Sequence, residues 1–164
     1  MADIVSERYA QSLYEVAKDE KQEKEYLEEL TAVCGAFREN PDFLKLLTTP
    51  SIAFEDKQNV LKTVFEGKIR PFMLNFLMLT TEKGRIGLIH EMREAYKEQY
   101  YFENNIAEVC AVTAVPMSDA LRDRLKNKMQ AVTGRQVVLE TSVDPEIIGG
   151  IVVKVNNEQF DTSL

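Results

Sequence analysis

The chain has 164 residues, of which 45% are hydrophobic and 29% are charged, and its formal net charge at pH 7 is −7. This length suits one domain or two small ones, with enough apolar surface to fold without disulfides or metal ions. The negative charge argues against a protein that binds the phosphate backbone of nucleic acids, because such proteins display basic patches.

The cysteines and the N-terminus give little sign of metal binding or targeting. Cys34 and Cys110 lie far apart, outside any Cys-x-x-Cys or Cys/His cluster, so we predict reduced thiols and no metal site. The N-terminus is acidic from Asp3 onward and resembles neither a signal peptide nor a transit peptide. The longest apolar run, residues 147–153, is far shorter than the roughly 20 residues that span a bilayer. We therefore expect any link to a membrane to run through a partner.

Apolar residues recur at helical spacing through residues 1–104 and predict six helices with short connections, which is typical of a compact bundle. The acidic run of residues 19–29 is interpreted as a solvated helix face with pairs such as Glu20–Lys24. The first and fifth helices carry apolar residues on more than one face. Two explanations stay open: both helices are central in the bundle, or together they form a groove for an amphipathic helix of another protein.

The period of the pattern changes after Asn105, where β-branched and alternating segments begin. These segments and one helical stretch predict a small α+β domain over residues 105–164. The predicted elements are a strand at 106–115, a helix between Ser118 and Gly134, and strands at 136–143 and 150–155. The fold class is thus an N-terminal all-α six-helix bundle followed by a small α+β C-terminal domain.

The sequence contains no arrangement of residues that predicts catalysis. His90 is the only histidine, and because no serine or cysteine nucleophile lies near it we interpret it as a surface or packed residue. Gly149 and Gly150 precede a predicted strand and lack the flanking residues of a phosphate-binding loop, so we predict a structural bend there. We therefore predict no enzymatic activity, no cofactor and no metal.

Four motifs stand out when the chain is taken as a whole. The longest, VVLETSVDPEIIGGIVVKVNNEQFDTSL at residues 137–164, combines alternating aliphatics, an acidic turn, an aliphatic pair, glycine, a strand ending in a basic residue and D-x-S-[LV]. The shorter ones are RYAQSLYEVA at 8–17, PSIAFEDK at 50–57 and EKGRIGLI at 82–89. Over essentially its whole length the chain resembles the bacterial δ subunits of F-type ATP synthase, homologues of the oligomycin-sensitivity-conferring protein, and these four motifs carry the resemblance. Lys83 and Gly84 depart slightly from the family's Asn-bearing turn.

The resemblance implies a non-catalytic stator subunit of the proton-translocating ATP synthase, which links the catalytic head to the peripheral stalk so that rotor torque drives ATP synthesis. It implies that residues 1–104 bind the N-terminal helix of an α subunit and that residues 105–164 contact the b subunits. It also implies a peripheral location on the cytoplasmic face of the bacterial cell membrane, with membrane contact only through the complex and no nucleic-acid partner. Carried over by position, the groove residues are Tyr9, Leu13, Val16, Phe72, Phe76 and Leu79.

Two other classes of protein stay open at this point. A small enzyme would need a catalytic constellation, whereas a generic helix-binding adaptor unrelated to ATP synthase would share the groove but lack the motif at 137–164. Family members usually continue past D-x-S-[LV] with a Leu-rich helix, while this sequence ends at Leu164. We therefore expect the C-terminal domain to be the less stable one and to bind the stalk more weakly than a full-length relative does.

Overall fold

The computed structural model describes residues 3–156 and 158–160, the last three as backbone only. The chain divides into two compact units, Met1–Tyr100 and Tyr101–Leu164, which we call the N-terminal and C-terminal units. The predicted order of a helical N-terminal part and a small α+β C-terminal part is confirmed. The D-x-S-[LV] motif at 161–164 lies outside the described residues.

The regular structure described between residues 4 and 103 is helical. Its elements are α1 (Ile4–Asp19), α2 (Glu23–Glu39), α3 (Pro41–Thr48), α4 (Phe54–Phe65), α5 (Pro71–Glu82), a 3₁₀ turn (Ile86–Leu88) and α6 (Ile89–Glu103). The predicted sixth helix therefore begins as a 3₁₀ turn and becomes α-helical only at Ile89. Gly67 and Gly84 follow α4 and α5 with backbone φ of 81° and 72°, a left-handed conformation that ends a helix and that glycine adopts without strain.

The core of the N-terminal unit is built from helix faces whose apolar residues recur every three or four positions. In α2 the buried residues are Tyr26, Leu30, Val33, Cys34 and Phe37. Tyr96 of α6 is fully buried, and its hydroxyl donates to the carbonyl oxygen of Glu23 at 2.7 Å. Its ring packs on that of Tyr14 with centroids 5.2 Å apart, which joins α1 to α6.

The chain between α1 and α2 differs from the prediction of a continuous acidic helix face. Lys21 has a positive φ of 57°, and α1 ends at Asp19 while α2 begins at Glu23. Because the helix is interrupted there, the predicted Glu20–Lys24 pair on one helical face is wrong. Glu20 instead accepts a hydrogen bond from the hydroxyl of Tyr26, with 2.6 Å between the oxygens.

The C-terminal unit is a four-stranded sheet with one helix. Its elements are β1 (Ile106–Thr113), α7 (Asp119–Thr133), β2 (Gln136–Val143), β3 (Ile151–Val155) and β4 (Glu158–Phe160), in the spatial order β2-β1-β3-β4. β1 and β2 are parallel, with α7 as their crossover connection, and the other pairs are antiparallel. β1 ends two residues earlier than predicted, because the Thr113 hydroxyl donates to the carbonyl of Val115 at 2.6 Å and closes a turn.

The helix and one face of the sheet enclose a separate small core. Alternate residues of β1 point into it, and its buried members are Ala107, Val109, Ala111, Leu125, Met129, Val137, Leu139 and Val153. The predicted caps of α7 are present. The Ser118 hydroxyl accepts from the backbone N–H of Leu121 at 3.2 Å, and Gly134 closes the helix with φ of 67°.

Candidate functional site

Helix α1 begins at a side-chain cap and buries one face. The Asp3 carboxylate accepts a hydrogen bond from the backbone N–H of Ser6 at 2.7 Å, and this bond lowers the pKa of the Asp3 carboxyl. The buried residues of the helix are Ser6, Ala10, Leu13, Tyr14 and Ala17. Tyr9 and Val16, seven positions apart, are half-buried at the edge of that face and pack against the core.

Helix α5 is apolar on its outer side as well as its inner side. Pro71 occupies the first turn, where its missing N–H costs nothing, and the buried residues are Met73, Leu74, Phe76, Leu77, Thr80 and Thr81. Phe72 and Leu79 lie two turns apart on the outer side and are 39% and 45% exposed. A helix that served only the core would carry polar residues at these positions.

Helices α1 and α5 meet where the ring of Tyr9 contacts that of Phe76 edge-on, with centroids 6.3 Å apart. Four of the predicted groove residues are half-buried or exposed, and we use the name α1–α5 surface for this set: Tyr9, Val16, Phe72 and Leu79. The other two lie deeper than the prediction supposed. Leu13 is 1% exposed and Phe76 is 6% exposed, because both fall on the core-facing sides of their helices. Both belong to the core of the N-terminal unit.

The start of α5 is fixed to α2 by a polar cluster that the sequence patterns did not reveal. The backbone N–H of Arg70 donates to one Glu29 carboxylate oxygen and its guanidinium to the other, each at 2.7 Å. Its Nε donates to the Gln22 side chain at 3.2 Å, and the guanidinium lies 5.0 Å from the Tyr26 ring centroid. Burial and the hydrogen bond to Glu20 raise the pKa of Tyr26. No local sequence signal links residues 41 positions apart, as Arg70 and Glu29 are.

Burial shifts the pKa values of the histidine and of the buried cysteine in the direction that favours their neutral forms. The ring of His90 is half-buried on α6, and its Nδ1 has no hydrogen-bond partner among the described residues. Burial, together with the nearby Arg38, lowers the pKa of His90. Burial raises the pKa of the Cys34 thiol to about 11, and its sulfur faces the carbonyl of Ile89 at 3.7 Å. A thiol with a raised pKa is a poor nucleophile at neutral pH.

In the described part of the C-terminal unit, one group of possible metal ligands comes together that the sequence did not suggest. Parallel pairing sets Cys110 beside Glu140, with Glu108 on the same face of β1, and their ligand atoms lie within 4.8 Å of one another. We assign no metal to this group, because exposed acidic groups commonly gather in this way without an ion.

Gly149 and Gly150 lie in the loop before β3 with φ of 65° and 79°. An added Cβ would meet no atom within 4 Å at either position, so the loop needs the backbone freedom of glycine and not its small size.

These features define a class of protein. An all-helical unit exposes apolar side chains on α5, which contacts α1, and a small α+β unit follows it. Among the described residues, no helix is long and apolar enough to cross a membrane. The chain belongs to the ATP synthase delta (OSCP) subunit family, whose model matches residues 5–164.

Relatives and one solved structure agree with this assignment. The chain is 32% identical over 161 residues to the ATP synthase subunit delta of Clostridium kluyveri, covering 98% of this chain and 89% of that one. It is 36% identical to the ATP synthase subunit delta of Solidesulfovibrio magneticus, and the alignment covers 99% of this chain and 90% of that one. It is also 36% identical to the subunit delta of Synechocystis, with 98% of this chain and 87% of that one covered. A chain of the Toxoplasma gondii mitochondrial ATP synthase hexamer shares the fold, with a TM-score of 0.71 and 22% sequence identity. The match covers 91% of this chain and 84% of that one.

Family membership gives the function at the level of the complex. The protein is a non-catalytic stator subunit of ATP synthase and takes part in ATP synthesis and hydrogen ion transport as a structural component. An adaptor unrelated to ATP synthase is not favoured, since the family match extends over nearly the whole chain.

Proposed function

We propose that the α1–α5 surface binds the amphipathic N-terminal helix of an ATP synthase α subunit and that the C-terminal unit contacts the b subunits of the peripheral stalk. In this proposal residues 1–104 act as a six-helix bundle on the catalytic head and residues 105–164 act as the link to the stalk. The subunit is then peripheral, on the cytoplasmic face of the bacterial cell membrane, and reaches the membrane only through the complex.

The observation that carries the proposal is the exposure of Phe72 and Leu79 on α5, a helix that contacts α1 through Phe76 and Tyr9. Apolar side chains spaced two turns apart on neighbouring helices present a hydrophobic strip, which suits the apolar face of a third helix. The Arg70–Glu29 ion pair fixes one end of α5, so that a partner helix meets a preformed surface and loses less entropy on binding.

Two binding surfaces suffice for the mechanical role. A stator transmits force without making or breaking a covalent bond, so it needs affinity for the head at one site and for the stalk at another. With both engaged, the catalytic head is held against rotation while the rotor turns, and the torque is converted into ATP synthesis. Neither His90 nor Cys34 is needed for this work.

The experiment is titration of the full chain with a synthetic α-subunit N-terminal peptide, followed by calorimetry. Leu79→Glu and Phe72→Glu should each weaken binding about tenfold or more, because the new carboxylate would be buried without a partner in the complex. Both positions are partly exposed, so helical circular dichroism should persist. Leu13→Glu is unsuitable, because a charge at this buried position would test folding instead of binding.

Ala32→Glu is the matched control, since it adds the same charge to an exposed position on α2. It should leave the affinity for the peptide within about twofold of the parent. The proposal fails if the Leu79 and Phe72 variants remain folded and bind the peptide as tightly as the parent does. A chain that binds unrelated amphipathic helices equally well would instead support the adaptor class.

A further inference from the structure

Exposed apolar side chains of the C-terminal unit concentrate at one end of its sheet. We call this set the strand-end patch; its members are Val115 (68% exposed), Leu121 (40%), Val143 (48%) and Ile148 (99%). The other large apolar side chains exposed in the described part of this unit, Phe102, Val132 and Val138, lie elsewhere. A concentrated apolar patch on a soluble surface indicates a place where another molecule binds.

The sheet topology places these four residues together. Thr113, the last residue of β1, pairs with Val143 of β2 and with Ile151, the first residue of β3. The backbone N–H of Asp144 donates to the Thr113 carbonyl at 2.8 Å, which holds the β2–β3 loop against the end of β1. Helix α7 begins just after β1, so Leu121 in its first turn lies at this end as well.

The β2–β3 loop is shaped to display Ile148. The side-chain carboxylate of Asp144 accepts a hydrogen bond from the backbone N–H of Glu146 at 3.0 Å. The backbone carbonyl of Asp144 accepts another from the N–H of Ile147 at 3.1 Å. The two glycines that follow turn the chain back into β3 through positive φ. Ile148 is thereby held outward by an ordered turn.

Acidic residues outnumber basic ones in the segments that carry the patch. The segments that meet there, 114–121 and 143–150, contain Asp119, Asp144 and Glu146, and the first basic residue that follows, Arg122, donates its guanidinium to the Leu139 carbonyl at 3.2 Å. A partner with lysines or arginines beside an apolar stripe complements both features. A second copy of this chain does not, because a symmetric contact would bring like charges together.

We propose that the strand-end patch is the surface through which the C-terminal unit binds a basic amphipathic helix of the peripheral stalk. This proposal rests on the stalk contact proposed above and names its location and the chemistry of its partner. Ile148 inserts into the apolar stripe of that helix, while the three carboxylates pair with the flanking cations.

The test measures binding of the full chain to the purified soluble segment of its own b subunit. Ile148→Asp should weaken binding about tenfold without affecting folding, because the side chain is 99% exposed. Glu146→Lys should weaken it about threefold and reduce its sensitivity to added salt. Val132→Asp, at the other end of α7 and 71% exposed, is the matched control and should bind like the parent.

The outcomes separate the two levels of the proposal. If the parent binds b and Ile148→Asp binds equally well, the strand-end patch is not the contact, although the stalk role stands. If Val132→Asp loses as much affinity for b as Ile148→Asp does, the inference is also overturned. The same holds if Ile148→Asp leaves binding to b unchanged and alters α-peptide binding or self-association instead. If the parent does not bind b at all, the stalk contact itself is wrong.

Discussion

His90 illustrates how one side chain couples packing to pH. Its ring is half-buried on α6, and the charged groups that influence it are Arg38 of α2 together with Arg93 and Glu91 of its own helix. Burial and the two arginines disfavour the imidazolium, so the pKa of His90 in the folded chain lies below its ordinary value of 6.5. The folded state therefore binds fewer protons at this site than the unfolded state does.

We expect this difference to weaken the fold as the pH falls. The free energy of unfolding should decline as the pH drops through 6.5, and the loss from this residue should level off below the folded-state pKa. Urea denaturation between about pH 5 and pH 8 measures it, with His90→Gln as the reference because glutamine does not titrate. Parallel curves for parent and variant over that interval would contradict the expectation.

At the scale of elements, the β2–β3 connection depends on its glycines. Gly149 and Gly150 have positive φ, and the space around each is open, so the constraint on these positions is conformational. The loop that they close also displays Ile148. Backbone geometry here thus connects the order of β3 to the proposed stalk contact.

Replacing Gly150 should strain this connection. A β-branched residue at positive φ costs on the order of 1–3 kcal/mol, so Gly150→Val should reduce hydrogen-exchange protection across residues 151–155 while the helices of the N-terminal unit keep theirs. Gly35→Ala is the control, because Gly35 lies in α2 without positive φ and with free space for a Cβ. Unchanged protection of β3 in Gly150→Val would count against a strained loop.

At the scale of the whole molecule, the protein is a connector with a net charge of −7 and two units of different architecture. Each unit encloses its own core, and each displays its own exposed apolar residues. This arrangement suits the two contacts proposed above, because a surface residue of one unit can be altered without disturbing the core of the other.

We expect the full chain neither to bind nor to hydrolyse ATP, although it belongs to an ATP synthase. The glycine pair precedes a strand and not a helix, and the sequence has no phosphate-loop motif. Calorimetric titration with magnesium and ATP should give only heats of dilution. A saturable one-to-one site would overturn this expectation and require a nucleotide-binding role.

Local chemistry was sufficient to predict much of the fold. The Ser118 cap and the Gly134 stop bound α7, and the alternating segment at 136–143 is β2. These predictions succeed because capping, helix termination and strand alternation depend on neighbours within a few residues. The family motifs likewise identified the class of protein from the sequence alone.

By itself, then, the sequence determined the order of the elements, the helical and α+β parts and the family. Only the tertiary structure decided which apolar residues are contact surface and which are core, as with buried Leu13 and exposed Leu79 on helices that are both apolar. It alone brought Arg70 to Glu29 and set Val115, Val143 and Ile148 at one end of the sheet. The reason is physical: exposure and long-range pairing depend on which distant parts of the chain pack against each residue. The spacing of apolar residues along the sequence does not specify those neighbours.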